Sequence, residues 1–158
     1  MAREMLILWI GRTREPWESL CADYRQRISR FAPIRDLPLR AKKAGDARSQ
    51  LRVEASAFRQ ALPDPCLTVV LDRRGKALDS ESFSRLLTTN RAEWPHSIAF
   101  LLGSDLGLDP EIQNSARIRV SLGPMTLPHE LARLVLYEQL YRAFAIEAGT
   151  QYHRRPSD

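Results

Sequence analysis

Three short apolar runs constrain this chain more than any other feature: Met5–Ile10 (MLILWI), Cys66–Leu71 (CLTVVL) and Ile98–Leu102 (IAFLL). A strand with one face in water alternates apolar and polar positions. These runs hardly alternate, so each is expected to be a strand covered on both faces. Between them the spacing becomes helical. Trp17, Leu20, Cys21, Tyr24, Ile28 and Phe31 follow Pro16, which suits a helix start. Leu51, Ala55, Phe58 and Leu62 mark a second helix stopped by Pro63 and Pro65, and SESFSRLL opens a third with Ser80 as its expected N-cap. Asp109-Pro110 predicts the cap and first residue of a short helix, and Ile118–Leu122 a fifth strand. Ile34–Leu39 carries Pro38 and is expected at a sheet edge. The last helix is expected from about Pro128 to Ala148, ended by Gly149. Strand and helix alternate throughout, which predicts the α/β class: a parallel sheet with helices on both sides, in one domain spanning 1–158.

A chain of 158 residues can bury its own core. No apolar run approaches the ~20 residues of a membrane-spanning helix. MLILWI is followed at once by Arg12, Arg14 and Glu15, unlike a secretory leader. Cys21 and Cys66 form no C-x-x-C pair and read as reduced structural residues, so a cytoplasmic location is expected. The formal charge of +5 is uneven: residues 1–62 carry 13 Lys and Arg against 7 Asp and Glu, and the remainder 11 against 12. A basic first half suits a phosphate-facing surface, with Arg25, Arg27, Lys42 and Lys43 among its candidates.

Ligands of open α/β sheets bind beyond the carboxyl ends of strands. Three such ends stand out here: Leu71-Asp72, Leu102-Gly103 and Leu122-Gly123. At Gly103 the missing side chain is expected to let a ligand approach the backbone. GSDLG, which begins there, is neither a Walker loop nor a dinucleotide fingerprint. In LGPMTLPHE, two prolines stiffen the loop, while Leu122, Met125 and Leu127 supply apolar surface and the backbone supplies polarity. That suits adenine and ribose better than a phosphate chain. Thr126 is a candidate cap for the last helix. This helix is apolar nearly all round, which points to burial against a second subunit. Its pairs His129/Arg133 and Glu138/Arg142 have i, i+4 spacing and read as structural. In the closing TQYHRRPSD, Tyr152 suits base stacking, Arg154 and Arg155 suit phosphate, and His153 suits proton transfer near neutral pH.

LLGSDLG, LDRRGKALDSESF, SLGPMTLPHELARLVLYEQLYRAFAI and YHRR together resemble the ribosomal RNA large-subunit methyltransferase H family of the SPOUT superfamily, over the whole chain. The resemblance implies an α/β SPOUT methyltransferase domain with a C-terminal trefoil knot, and a homodimer with its cofactor pocket beside the subunit interface. It implies transfer of a methyl group from S-adenosylmethionine to N3 of a pseudouridine in large-subunit (23S) ribosomal RNA, on the assembled ribosome, with no metal. Leu71, Gly103 and the run Leu122, Gly123, Pro124, Met125, Thr126 and Leu127 match the family's cofactor-binding positions. His153 of one subunit is expected to take the N3 proton, or to orient the base, at the other subunit's cofactor, with Tyr152 and Arg154 placing the nucleotide. Ser104, Gln151 and Gly123 depart from the family pattern. Two alternatives stand beside this reading: a non-catalytic ribosome-binding factor of the same fold, and a SPOUT methyltransferase acting on another RNA.

Overall fold

A computed structural model describes residues 3–154; Arg155, a candidate phosphate contact, lies outside them. Strands β1 (Met5–Ile10), β2 (Ile34–Leu39), β3 (Cys66–Ala77), β4 (Ser97–Leu102) and β5 (Ile118–Ser121) form one sheet in the order β2-β1-β4-β3-β5. Every pairing is parallel. Helices α1 (Trp17–Ile28), α2 (Ala47–Ala61), α3 (Ser80–Glu93), α4 (Pro110–Ser115) and α5 (His129–Glu147) connect and cover the strands.

The apolar runs are strands because both of their faces are occupied. Met5, Ile7 and Trp9 point into one core with Val69, Phe100 and α1, α3 and α5. Leu6 and Leu8 point into the other with Val70, Leu101, Phe58 of α2 and Ile112 of α4. Each fully buried side chain of this size contributes about 1.5–3 kcal/mol. β2, with Pro38, takes an edge as its composition requires.

Asp109 caps α4 as expected, its side chain accepting from the Glu111 N–H at 2.8 Å, with Pro110 in the first position. Two helix starts differ from expectation. Asp79, not Ser80, caps α3 by accepting from the Ser82 N–H at 2.7 Å, and Ser80 Oγ instead donates to Gln139 at 2.7 Å. The second helix starts earlier than its apolar spacing shows, because Asp46 accepts from the Ser49 N–H at 2.7 Å. β3 is also longer than its apolar run. Leu71 and Lys76 both pair with Val120, so the polar residues between them leave the ladder and return to it.

Candidate active site

The sheet order places β4, β3 and β5 side by side, so the three strand ends separated in sequence become neighbours. Leu71 pairs with Leu102 on one side and with Val120 on the other. The carboxyl edge formed there is bounded by the loop after β4 and by residues 122–128.

Loop 122–128 has a built shape. Gly123 has φ +128°, a backbone conformation that favours glycine, and Ser121 Oγ accepts from its N–H at 3.0 Å. Arg73 donates to Thr126 Oγ1 at 3.0 Å, tying this loop to the excursion in β3. Thr126 therefore does not cap α5; Pro128 occupies the cap position, with no side-chain bond to the helix. Met125 is 80% exposed. Among the described residues, the backbone N–H and C=O groups of Met125, Thr126 and Leu127 make no hydrogen bond, leaving a polar backbone edge framed by apolar side chains. A cleft of ≈ 340 Å³ opens at the start of this loop, lined by Leu78, Phe83, Leu122, Val135 and Gln139 among others.

Gly103 sits at this edge, and its bare position also has a task within its own loop. A Cβ there would lie 2.2 Å from the Gly107 carbonyl oxygen, so the bare position serves the tight return of its own loop. Ser104 anchors that loop: its Oγ donates to Glu54 of α2 at 2.8 Å and also accepts from the Leu106 N–H at 3.3 Å. His129 Nδ1 donates to Asp105 at 3.0 Å, joining the start of α5 to the same loop. Asp72, next to Leu71, has one buried carboxylate oxygen with no hydrogen bond among the described residues, 3.9 Å from Arg119.

Beneath the start of α5 lies an ionic cluster that sequence spacing does not reveal. The Arg133 side chain is 1% exposed and donates to Glu18 at 2.7 Å and to Asp36 at 3.2 Å. Its guanidinium carbon lies 4.1 Å from the Trp9 ring centre. Asp36 also accepts from Trp9 Nε1 at 3.0 Å and from the Tyr137 hydroxyl at 2.6 Å. Burial works to lower the Arg133 pKa, but Asp36 and Glu18 outweigh it and the net shift is upward. Burial and Asp36 push the Tyr137 phenol well above its usual value. Arg25 completes the cluster at 2.8 Å from Glu18. Arg25, expected as a phosphate contact, is thus already ion-paired within the fold.

The tail does not meet the strand-end loops of its own chain. Tyr152 packs edge-on against Tyr141 at 4.6 Å and donates to Glu138 at 3.2 Å. Burial, Tyr24 and Glu138 push its phenol well above the usual value. His153 lies 3.2 Å from Arg142 and 3.7 Å from Glu81, and lines a second cleft of ≈ 320 Å³ with Arg85, Ile146 and Thr150. The two clefts share no lining residue. Arg154 is exposed. Among the described residues no group of three or more His, Cys, Asp and Glu is placed to hold a metal, and no helix is long and apolar enough to cross a membrane.

A parallel sheet with an open backbone edge beyond adjacent strand ends is the frame of a SPOUT-type methyltransferase, and the family described as "Predicted SPOUT methyltransferase" matches residues 4–153. The chain belongs to the SPOUT methyltransferase family and, within it, to the group of ribosomal RNA large subunit methyltransferase H proteins. A relative of that name from Solidesulfovibrio magneticus is 38% identical over 96% of this chain and 99% of its own length. One from Rhizobium meliloti is 40% identical over 92% and 95%, and one from Streptococcus pneumoniae 36% identical over 94% and 98%. Among solved structures, a probable methylase family protein from Haemophilus influenzae superposes with a TM-score of 0.57 at 14% identity, covering 99% of this chain and 73% of that one. A probable methyltransferase from Bordetella pertussis gives 0.53 at 14% identity, covering 90% and 96%. These two structures share the fold.

Proposed function

We propose that this methyltransferase uses S-adenosylmethionine to methylate N3 of a pseudouridine in large-subunit ribosomal RNA, acting as a cytoplasmic homodimer on the assembled ribosome. The observation that carries the cofactor assignment is the unpaired backbone edge of Met125–Leu127 beside the neighbouring ends of β3, β4 and β5. Such an edge matches the donors and acceptors of adenine, while Leu122, Met125 and Leu127 suit its faces. Leu71, Gly103, Gly123, Pro124 and Thr126 would complete the wall through backbone and loop shape. When bound, the cofactor supplies an electrophilic methyl on sulfonium, so the protein must hold the base in line and see its N3 proton removed.

That second task falls to Tyr152, His153 and Arg154. Their distance in the fold from the strand-end loop supports a site completed between subunits, where the tail of one chain serves the cofactor of the other. His153 takes the N3 proton or orients the base, and Tyr152 and Arg154 place the nucleotide. The exposed cations of the first half, Lys42 and Lys43 foremost, would meet RNA phosphates. The single domain across 1–158 and its C-terminal knot belong to the same proposal.

Titration calorimetry with S-adenosylmethionine tests the pocket. Met125→Asp leaves the core untouched and is expected to weaken binding at least tenfold; unchanged binding removes loop 122–127 from the site. His153→Ala is expected to lower methyl transfer at least a hundredfold while cofactor binding persists. Full transfer by that variant refutes the role given to the tail.

A further inference from the structure

The way the tail is held decides between the two roles left open for His153. Arg142 is fixed first. Its Nε donates to Glu138 at 3.0 Å, and its guanidinium carbon lies 5.0 Å from the Tyr152 ring centre. Glu138 in turn accepts from the Tyr152 hydroxyl, which also lies 3.4 Å from the Tyr24 hydroxyl of α1. With the guanidinium anchored by the carboxylate and the ring, its remaining Nη1 points to His153 Nδ1 at 3.2 Å.

A guanidinium has donors and no acceptor. Nδ1 must therefore accept, and the proton of the neutral imidazole sits on Nε2. A proton on Nδ1 would face the Arg142 N–H, so that proton and this bond exclude one another. The other side of the ring agrees: Nε2 lies 3.7 Å from Glu81 Oε1, an acceptor.

We propose that Arg142 is a positioning residue that holds His153 in its Nε2–H tautomer, so that His153 meets the target base as a hydrogen-bond donor and not as the proton acceptor. This rests on the tail's role stated above. N3 of a pseudouridine is flanked by two carbonyl groups, and negative charge spreads onto them as N3 loses its proton. A donor at Nε2 stabilises that charge where it develops. In the balanced step, N3 forms a bond to the methyl carbon, the carbon–sulfur bond breaks with its electron pair staying on sulfur, and the N3 proton leaves to water. Glu138 supports the arrangement by holding both Arg142 and Tyr152, which gives the i, i+4 pair a task beyond helix stability.

The chain contains three histidines, so the imidazole nitrogens of the full-length protein are resolvable by ¹⁵N NMR. His153 is expected wholly in the Nε2–H form in wild type, to fall back toward the mixed tautomers of a free imidazole in Arg142→Ala, and to return to the single form in Arg142→Lys. A merely structural arginine would not move the tautomer. In methyl transfer to ribosomes, Arg142→Ala is expected to lower kcat at least tenfold with the KM for S-adenosylmethionine unchanged. His153→Gln, which keeps a donor near the Nε2 position, should retain several-fold more activity than His153→Ala. An Nδ1–H tautomer in wild type, an unaltered kcat in Arg142→Ala, or equal loss in His153→Gln and His153→Ala overturns the proposal. Should wild type transfer no methyl group to ribosomes, the proposed function fails, and the NMR result still decides the tautomer.

Discussion

Arg133→Met is the sharpest test of how the site is supported. The substitution keeps an apolar stem over Trp9 and removes the charge. It deletes the bonds to Glu18 at 2.7 Å and to Asp36 at 3.2 Å. Breaking a buried ion pair by removing one partner costs about 3–5 kcal/mol, chiefly through the charge left behind. Here neither carboxylate is stranded. Asp36 still accepts from Trp9 and Tyr137, and Glu18 still pairs with Arg25. The cost therefore belongs at the lower end, about 3 kcal/mol. In a chain of this size each kcal/mol moves the midpoint by ~2–4 °C, so thermal unfolding followed by circular dichroism should shift down by about 6–12 °C. Arg133→Lys, which keeps one charge but not the two-sided fork, should fall between wild type and Met. A drop below about 3 °C for Arg133→Met would mean the cluster breaks even against apolar packing, and the reasoning would be refuted. Because α5 starts directly after loop 122–128, cofactor affinity should weaken in the same variant.

Ser104→Ala leaves the Glu54 carboxylate, in a residue 4% exposed, with only Gln50 at 3.5 Å among the described residues, and should cost about 1–3 kcal/mol in urea unfolding; no change would show that Ser104 does not anchor the loop. The Asp79 cap should titrate. Hydrogen bonds from Ser82 hold its carboxyl below the ordinary 3.8, so the charged form is favoured in the fold. Its stabilisation is present above about pH 4 and is lost as pH falls through the lower folded value. Midpoints of wild type and Asp79→Asn, which caps without titrating, should therefore keep a constant difference above pH 4. Wild type should lose ground to the variant below it, and a constant difference down to pH 2.5 counts against the cap. Replacing Lys42 and Lys43 together by Gln should lower the slope of log binding constant against log salt for ribosomal RNA by ~1.5. Cofactor affinity should be unaffected; an unchanged slope excludes both from the RNA contact.

Much of the fold was legible because burial on both faces leaves a direct mark, as in Met5–Ile10 and Ile98–Leu102. Pro38 similarly announced the edge. Strand order was not legible, since no periodicity says which apolar run lies beside which. Only the order β4-β3-β5 turns Leu71, Gly103 and Leu122 from three separate strand ends into one edge. The polar DRRGKA carries no apolar mark of a strand, yet pairing with Val120 and Ser121 makes its last residues strand. Asp79 and Ser80 were both competent caps, and the carboxylate, the stronger acceptor, took the position. Arg133 read as a structural i, i+4 partner of His129; its role is structural, but its bonded partners Asp36 and Glu18 lie 97 and 115 residues away. Such distances erase any local signature. Glu54 was missed for the same reason, its partner Ser104 being 50 residues distant. The mark that Asp46 leaves, an Asp three residues before a Ser at a polar helix start, was present in the sequence and readable. The tail residues were chosen by their chemistry and by the family resemblance, and the fold adds what both omit: Glu138 holds Tyr152, and Arg142 meets His153.

The most direct measurement is radiolabelled methyl transfer from S-adenosylmethionine to ribosomes that lack the modification, prepared with and without their pseudouridines. Label is predicted in large-subunit RNA, dependent on the pseudouridine and lowered at least a hundredfold in His153→Ala. Label that appears equally without pseudouridine, goes to another RNA, or fails to appear although the cofactor binds would contradict the account.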